Sequence, residues 1–497
     1  MSLPTSPNPY RADSLIDAML QREERFIGLR DELEELLSRV TQERPAAVSL
    51  VGPRGMGKSF LLRFLAHPQG ARHVFPRAIG PRFAAEPERV LFVPLDLGDA
   101  LPPRLLEALY ERLLARLAAH LGVEDARLLP LDQLPAARPT SLQVLRAQAR
   151  RALAAARQEA DDEELRERFA AALGGALPGA LFELLQRLDA WGMRAVFLID
   201  EFDSVAGRVT RDEYDHLRVL LGAASVVLAS TRALSEQVPA AVQTSPFFNL
   251  LQRLTLLSMH FLPPDDARRL VAEPPSWSPD TAGFRFSEPD IDFILELTGL
   301  HPDLIRETCE YLYRTRHRTS RPGQDVLPAE EQPYVRALLR PLFADFFAGL
   351  WRQVSEPDRV TLAAIAARRH PAGAPIPPEL VTRGYVVYEH GRYRLFAGLF
   401  RDYVLDQAVQ LPPARPAGPM ELTDLETRLL ELLQASQGEV VPRAAIIAAL
   451  YDGATDTREL RGRLDALVFR LRGKLEGAPL LIESVRGQGY RLVRRAA

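Results

Sequence analysis

Gly52-Pro53-Arg54-Gly55-Met56-Gly57-Lys58-Ser59 follows a short apolar run, Ala46 to Val51, and leads into a helical pattern from Ser59 to Ala66. A short apolar run ending in glycine reads as a buried strand. Strand, glycine loop and helix together are the context in which G-x-x-x-x-G-K-[ST] forms a phosphate loop. Its glycines let backbone N–H groups converge on phosphate oxygens, and the helix that follows adds its positive N-terminal end. The lysine is informative in itself. The chain holds two lysines, Lys58 and Lys474, among 62 basic side chains. A compact ammonium fits against β- and γ-phosphates, whereas a planar guanidinium is larger and has a different donor geometry.

Further apolar runs lie outward from the loop: Val90 to Leu95, Ala195 to Ile199, Ser225 to Ala229 and Arg253 to Leu257. They alternate with helical patterns. This predicts an α/β fold, a parallel P-loop sheet covered on both faces. The third run ends in Asp200-Glu201. Ser59 and Asp200 are the expected Mg2+ anchors. Glu201 is the expected base that polarises an attacking water. The nucleotide-binding set at the loop is Gly52, Arg54, Gly55, Met56, Gly57, Lys58, Ser59 and Phe60, and the cofactor is ATP or ADP with Mg2+.

The 497 residues suggest roughly three domains. Residues 1–22 read as a polar, proline-containing arm. Residues 23–262 read as the ATPase core with a helical insertion at 104–190, and 263–340 as a helical lid. Residues 341–410, with a hairpin turned at His390-Gly391, read as a first small winged helix. Proline-rich 411–419 is a linker, and 420–497 a second winged helix. The single cysteine, Cys309, excludes an internal disulfide. No apolar run approaches the roughly 18 residues of a membrane span, and no secretory pattern opens the chain. The expectation is a cytoplasmic protein with no membrane partner.

Val226-Val227-Leu228-Ala229-Ser230-Thr231-Arg232 resembles the sensor strand of STAND signal-transduction ATPases, which are AAA+-related. The resemblance covers about 20–410. It implies that Arg232 contacts the γ-phosphate. It also implies that Pro302, in Thr298-Gly299-Leu300-His301-Pro302, packs on adenine, and that Ile27, in Phe26-Ile27-Gly28, lies on the adenine side. Leu29 stands where that class usually has arginine. Slow hydrolysis and nucleotide-dependent homo-oligomers are further implications. Archaeal-type origin-recognition ATPases share the Asp-Glu strand end and a winged helix, but their fourth strand typically ends in asparagine.

The net charge of −3 argues against a uniformly basic coat, yet the chain from Arg461 onward carries nine basic and three acidic side chains. Residues 420–495 resemble the OmpR-type DNA-binding domain, above all in Ser484-Val485-Arg486-Gly487-Gln488-Gly489-Tyr490-Arg491-Leu492. That implies double-stranded DNA as partner. Arg463, Arg470, Arg472 and Lys474 would serve the recognition helix, Arg486 the wing tip and Arg491 the wing strand. Leu467 and Phe469 occupy positions where the family usually carries polar base-reading residues, so that face is also a candidate for binding a protein. Three readings therefore stand: an ATP-controlled DNA-binding switch in transcription, defence or mobile elements; an ATPase scaffold whose last domain binds a protein; and an origin-recognition-like DNA-loading ATPase.

Overall fold

The computed structural model describes residues 8–98, 104–238, 245, 255–317, 326–371, 376–389, 391–408, 424–436, 439–450, 460, 464, 467–468, 471, 480–485 and 489–494. Two compact units emerge: residues 1–366 with 377–405, and residues 367–376 with 406–497.

The first unit is built on five parallel strands, β1 (Ala47–Val51), β2 (Val90–Asp96), β3 (Arg194–Asp200), β4 (Ser225–Ser230) and β5 (Thr255–Ser258), in the order β2-β3-β4-β1-β5. All of β3 and β4 is buried, as expected of central strands covered on both faces. The connection leaving β1 runs toward β2 and the one leaving β4 runs the opposite way to β5, so the carboxyl ends of adjacent β1 and β4 form the switch point at which such sheets bind ligands. The loop 52–57 and helix α3 follow from that point; the earlier helices are α1 (Ala12–Met19) and α2 (Arg30–Val40), and α3 spans Lys58–Ala66.

Helices Leu105–Leu121, Leu142–Ala156, Asp162–Ala172 and Gly179–Ala190 fill the stretch between β2 and β3 and share a leucine-rich core with those strands. Fully buried Arg89 ties this insertion down, donating to the carbonyls of Trp191 at 2.6 Å and Pro139 at 2.9 Å and to Glu86 at 2.5 Å. A buried guanidinium is tolerable because its donors are met.

Helices Pro264–Ala272, Glu288–Thr298, Pro302–Arg316 and Gln332–Leu342 come next. They are followed by helices Ala344–Arg352, Glu356–Ala366 and Pro378–Thr382, hairpin β6 (Val386–Glu389) and β7 (Arg392–Leu395), and helix Gly398–Ala408. Arg336 joins these groups. It bonds both carboxylate oxygens of Asp402, at 2.6 and 2.9 Å, and reaches Glu296 at 3.0 Å.

The N-terminal segment departs from the expected polar arm. Residues 12–19 are helical, and Tyr10, Leu15, Ile16 and Met19 are buried. Apolar side chains at 15, 16 and 19 give the helix one greasy stripe, hidden in the sequence by the polar residues around it.

In the second unit, helices Asp424–Ala435 and Arg443–Leu450 pack with a three-stranded antiparallel sheet of β8 (Val441–Pro442), β10 (Gly489–Arg494) and β9 (Leu480–Val485). A β-carbon on Gly489 would run into the Val441 carbonyl, so this glycine is required by the close pairing of β8. Leu464, Leu467, Val468 and Leu471 are buried in the core with Leu429, Ile446 and Leu492. This corrects the reading of Leu467 as a partner-binding surface: at 2% exposure its side chain is structural. Phe469 lies outside the described residues. Leu467→Ala should cost about 2–5 kcal/mol in the unfolding transition that reports the C-terminal domain. An unchanged transition would return Leu467 to the surface.

Candidate functional site

The phosphate loop closes on its own lysine. Lys58 Nζ donates to the carbonyl of Gly52 at 2.6 Å and of Pro53 at 2.9 Å, and the residue is only 8% exposed. Burial pushes its pKa down, while Asp203, Asp200 and Glu201 pull it back up. Gly55 and Gly57 have φ of +78° and +88°, the left-handed region that favours glycine. Gly52 has another reason to be glycine, since a β-carbon there would lie 2.6 Å from Met259 Cβ.

The loop, α3 and the ends of β3 and β4 border a cavity of about 630 Å³, a size suited to a small-molecule ligand. Its polar wall includes Arg54, Gly55, Gly57, Lys58, Ser59, Asp200, Glu201, Asp203 and Thr231. Its apolar wall includes Ala12, Leu15, Met19, Ile27, Leu29, Leu262, Leu270 and Pro302. Phe60 lines it as well, whereas Met56 is buried away from it. Backbone donors at a helix N-terminus, a buried ammonium and carboxylates at one wall, with aliphatic side chains at the other, fit a nucleoside phosphate with its metal. Among the described residues no cluster of three metal-ligating side chains stands ready without one.

The acidic strand end is tightly arranged. The Glu201 amide donates to Asp200 Oδ1 at 2.9 Å, and Glu201 takes φ of +51°. A β-carbon on Gly98 would collide with the Glu201 carboxylate, so the stretch just after β2 leaves it room there. The sequence reading missed Asp203, which accepts from both the Thr231 amide (2.7 Å) and the Thr231 hydroxyl (3.0 Å). The spacing Asp200-Glu201-Phe202-Asp203 was the available signal. Arg232, expected at the γ-phosphate, is exposed and stands outside the cavity wall. Thr231 is the residue of that strand end that reaches it.

His301 was passed over, yet it joins the loop to the rest of the first unit. It is 1% exposed and caps helix Pro302–Arg316, its Nδ1 accepting from the Leu304 amide at 3.3 Å. The proton therefore sits on Nε2, which donates to the Arg54 carbonyl at 3.1 Å. A β-carbon on Gly55 would lie 2.5 Å from the ring. The same ring packs against Phe346 (5.3 Å) and Phe396 (5.8 Å) from the helix-and-hairpin group that follows helix Gln332–Leu342.

On the second unit, Arg491 Nε and a terminal nitrogen donate to Glu483 across the hairpin at 2.9 and 2.7 Å, which neutralises part of its charge. Arg463, Arg470, Arg472, Lys474 and Arg486 lie outside the described residues. Arg443 packs on the Tyr490 ring at 5.1 Å.

Burial pushes the His301 pKa down to about 4, with Lys58 acting in the same direction against Asp303 and the Arg54 bond. The native protein thus binds fewer protons than the unfolded chain between pH 6.5 and 4. Stability is full above pH 6.5 and falls by up to about 3 kcal/mol as pH drops through that window. His120, held at about 3 chiefly by burial, adds to the slope. His301→Asn keeps a capping acceptor and should reduce the slope without removing it, as read from denaturation midpoints across pH. An unchanged slope would mean that His301 takes up its proton in the native state.

Residues 25–234 match the family model described as AAA ATPase domain, and residues 417–492 the one described as Transcriptional regulatory protein, C terminal. Transcriptional regulatory protein CusR of Escherichia coli (strain K12) is 34% identical over 118 residues, 23% of this chain and 51% of that protein. Transcriptional activator protein IrlR of Burkholderia pseudomallei (strain 1026b) is 36% identical over 124 residues, 24% of this chain and 52% of that protein. The chain thus spans about half the length of the curated relatives it matches. Among solved structures, the Walker-type ATPase paby2304 of Pyrococcus abyssi aligns over 77% of this chain and 97% of its own, at 13% identity and a TM-score of 0.44. No helix among the described residues is long and apolar enough to cross a membrane. Two domain models thus match in one chain, an AAA ATPase domain in the first part and a transcriptional regulatory protein's C-terminal domain in the last.

Proposed function

We propose that the protein is an ATP-binding, slowly hydrolysing switch whose nucleotide state governs DNA binding by its C-terminal winged helix, in transcriptional regulation or in a defence or mobile-element system. The observation that carries this reading is the buried Lys58 ammonium, clamped on the carbonyls of Gly52 and Pro53 and faced by Asp203, Asp200 and Glu201 at and just beyond the end of β3. ATP with Mg2+ supplies the phosphoanhydride and the γ-phosphate charge that such a switch reads. Ser59 and Asp200 would hold the metal, and Lys58 the β- and γ-phosphates. Glu201 would take the proton of the attacking water. Asp203, by fixing Thr231, keeps the end of β4 beside this group.

Transmission follows from His301. A shift of the phosphate loop must either carry His301 along or break its bond to the Arg54 carbonyl. Moving the ring disturbs Phe346 and Phe396, since packed cores shift between discrete arrangements rather than deform smoothly. Gln353, at the end of helix Ala344–Arg352, also reaches the cavity wall. The reading includes nucleotide-dependent self-association.

The test is duplex-DNA binding by the full chain at two salt concentrations, with no nucleotide, with ADP or with a non-hydrolysable ATP analogue. Binding should weaken as salt rises and should change with nucleotide. Lys58→Ala should lose nucleotide binding and the response, while Arg486→Ala should lose DNA in every state. Glu201→Gln should keep nucleotide and lose turnover by about 10²-fold or more. Absence of DNA binding in all three states would overturn the switch.

A further inference from the structure

The apolar wall of the nucleotide cavity draws on the N-terminal segment. Ala12, Leu15 and Met19 of α1 face the cavity together with Leu262, Leu270 and Pro302. The segment is fastened at its start. Tyr10 is 0% exposed, and its hydroxyl donates to the Val271 carbonyl at 2.5 Å. Its ring lies 6.2 Å from Phe286 and 6.4 Å from Tyr313. Asn8 Nδ2 donates to the Glu310 carbonyl at 2.9 Å, on helix Pro302–Arg316. Toward the sheet, Asp13 meets Arg63 of α3 at 3.5 Å. The segment therefore spans from the lid helices to the helix that carries the phosphate loop, and passes over the cavity between them.

We propose that α1 is a strap that holds the nucleobase and limits nucleotide release, with Leu15 and Met19 as base-contacting residues and Tyr10 as the anchor. This inference rests on the nucleotide-binding reading above. The flat face of a base gains from contact with apolar side chains, and α1 supplies three of the eight named on the wall. A nucleotide enclosed in this way cannot leave until the strap lifts. Lifting requires Tyr10 to leave a fully buried site and its hydroxyl to give up a buried partner. Whatever triggers exchange then has a handle on the lid face where Tyr10 is seated, rather than at the phosphates.

The test uses the full-length protein loaded with Mg2+ and ADP that carries a fluorescent methylanthraniloyl group on the ribose, chased with unlabelled ADP. Leu15→Ala, Met19→Ala and Tyr10→Ala should each release the probe about tenfold faster or more, as expected for loss of one large apolar contact. Tyr10→Phe keeps the ring and loses the hydroxyl bond, so it should fall between wild type and Tyr10→Ala. Amide exchange over residues 12–19 should slow when ADP is bound, a change that a merely structural helix would not show. Melting curves are taken in parallel, and if Tyr10→Ala fails to fold the two wall variants decide. Wild-type release rates in the wall variants, with no change in exchange over α1, would overturn the strap and leave the nucleotide site intact. Failure of the wild type to bind the probe would overturn the nucleotide reading and the strap with it.

Discussion

A buried ammonium governs the first unit of this protein. Lys58 lies out of water, and burial alone would favour its neutral form. Two loop carbonyls and three carboxylates keep the charge in place. That arrangement requires two left-handed glycines in the loop and a strand of acids two places away across the sheet. It also requires Gly52 to sit against Met259, where no side chain fits. The sheet order, with β4 between the loop strand and the acid strand, brings these groups together, and the rest of the unit surrounds the cavity that results.

The loop is not an isolated cradle. Through His301 it is joined to helix Pro302–Arg316, which this residue caps, and to the aromatic side chains of the hairpin group. One neutral imidazole thus accepts from a helix amide, donates to the loop and packs against two phenyl rings. Few side chains can do all three, since the role needs both an acceptor and a donor on one flat apolar body. On helix Gln332–Leu342, Arg336 makes a similar junction in charged form, binding Asp402 and Glu296. These are two of the places where motion in one helical group must be felt by the next.

Some of this was written plainly in the chain. The phosphate loop, the five parallel strands and the Asp200-Glu201 strand end follow from local pattern, because backbone geometry at a glycine loop and burial of a central strand are both set by neighbours in sequence. The two wing strands were legible for the same reason, although Gly489 owes its identity to the Val441 carbonyl of a third strand, which local pattern does not reveal. Asp203 was visible as a residue two beyond Glu201. Its partnership with Thr231 was not, because they lie 28 positions apart and meet only where β3 and β4 end.

The sequence by itself determined the chemistry at the polar wall, since a phosphate loop is a local device that needs its own glycines, lysine and serine. Tertiary structure alone decided what closes the opposite wall and which side chains are free. α1 looked like a polar arm because an eight-residue helix carries few apolar side chains, and their value depends on helices some 260–300 residues away. Leu467 looked like a surface residue by analogy of position, and the packing of the second unit buried it. In each case the deciding term is burial against residues distant in sequence, a quantity that no local pattern contains.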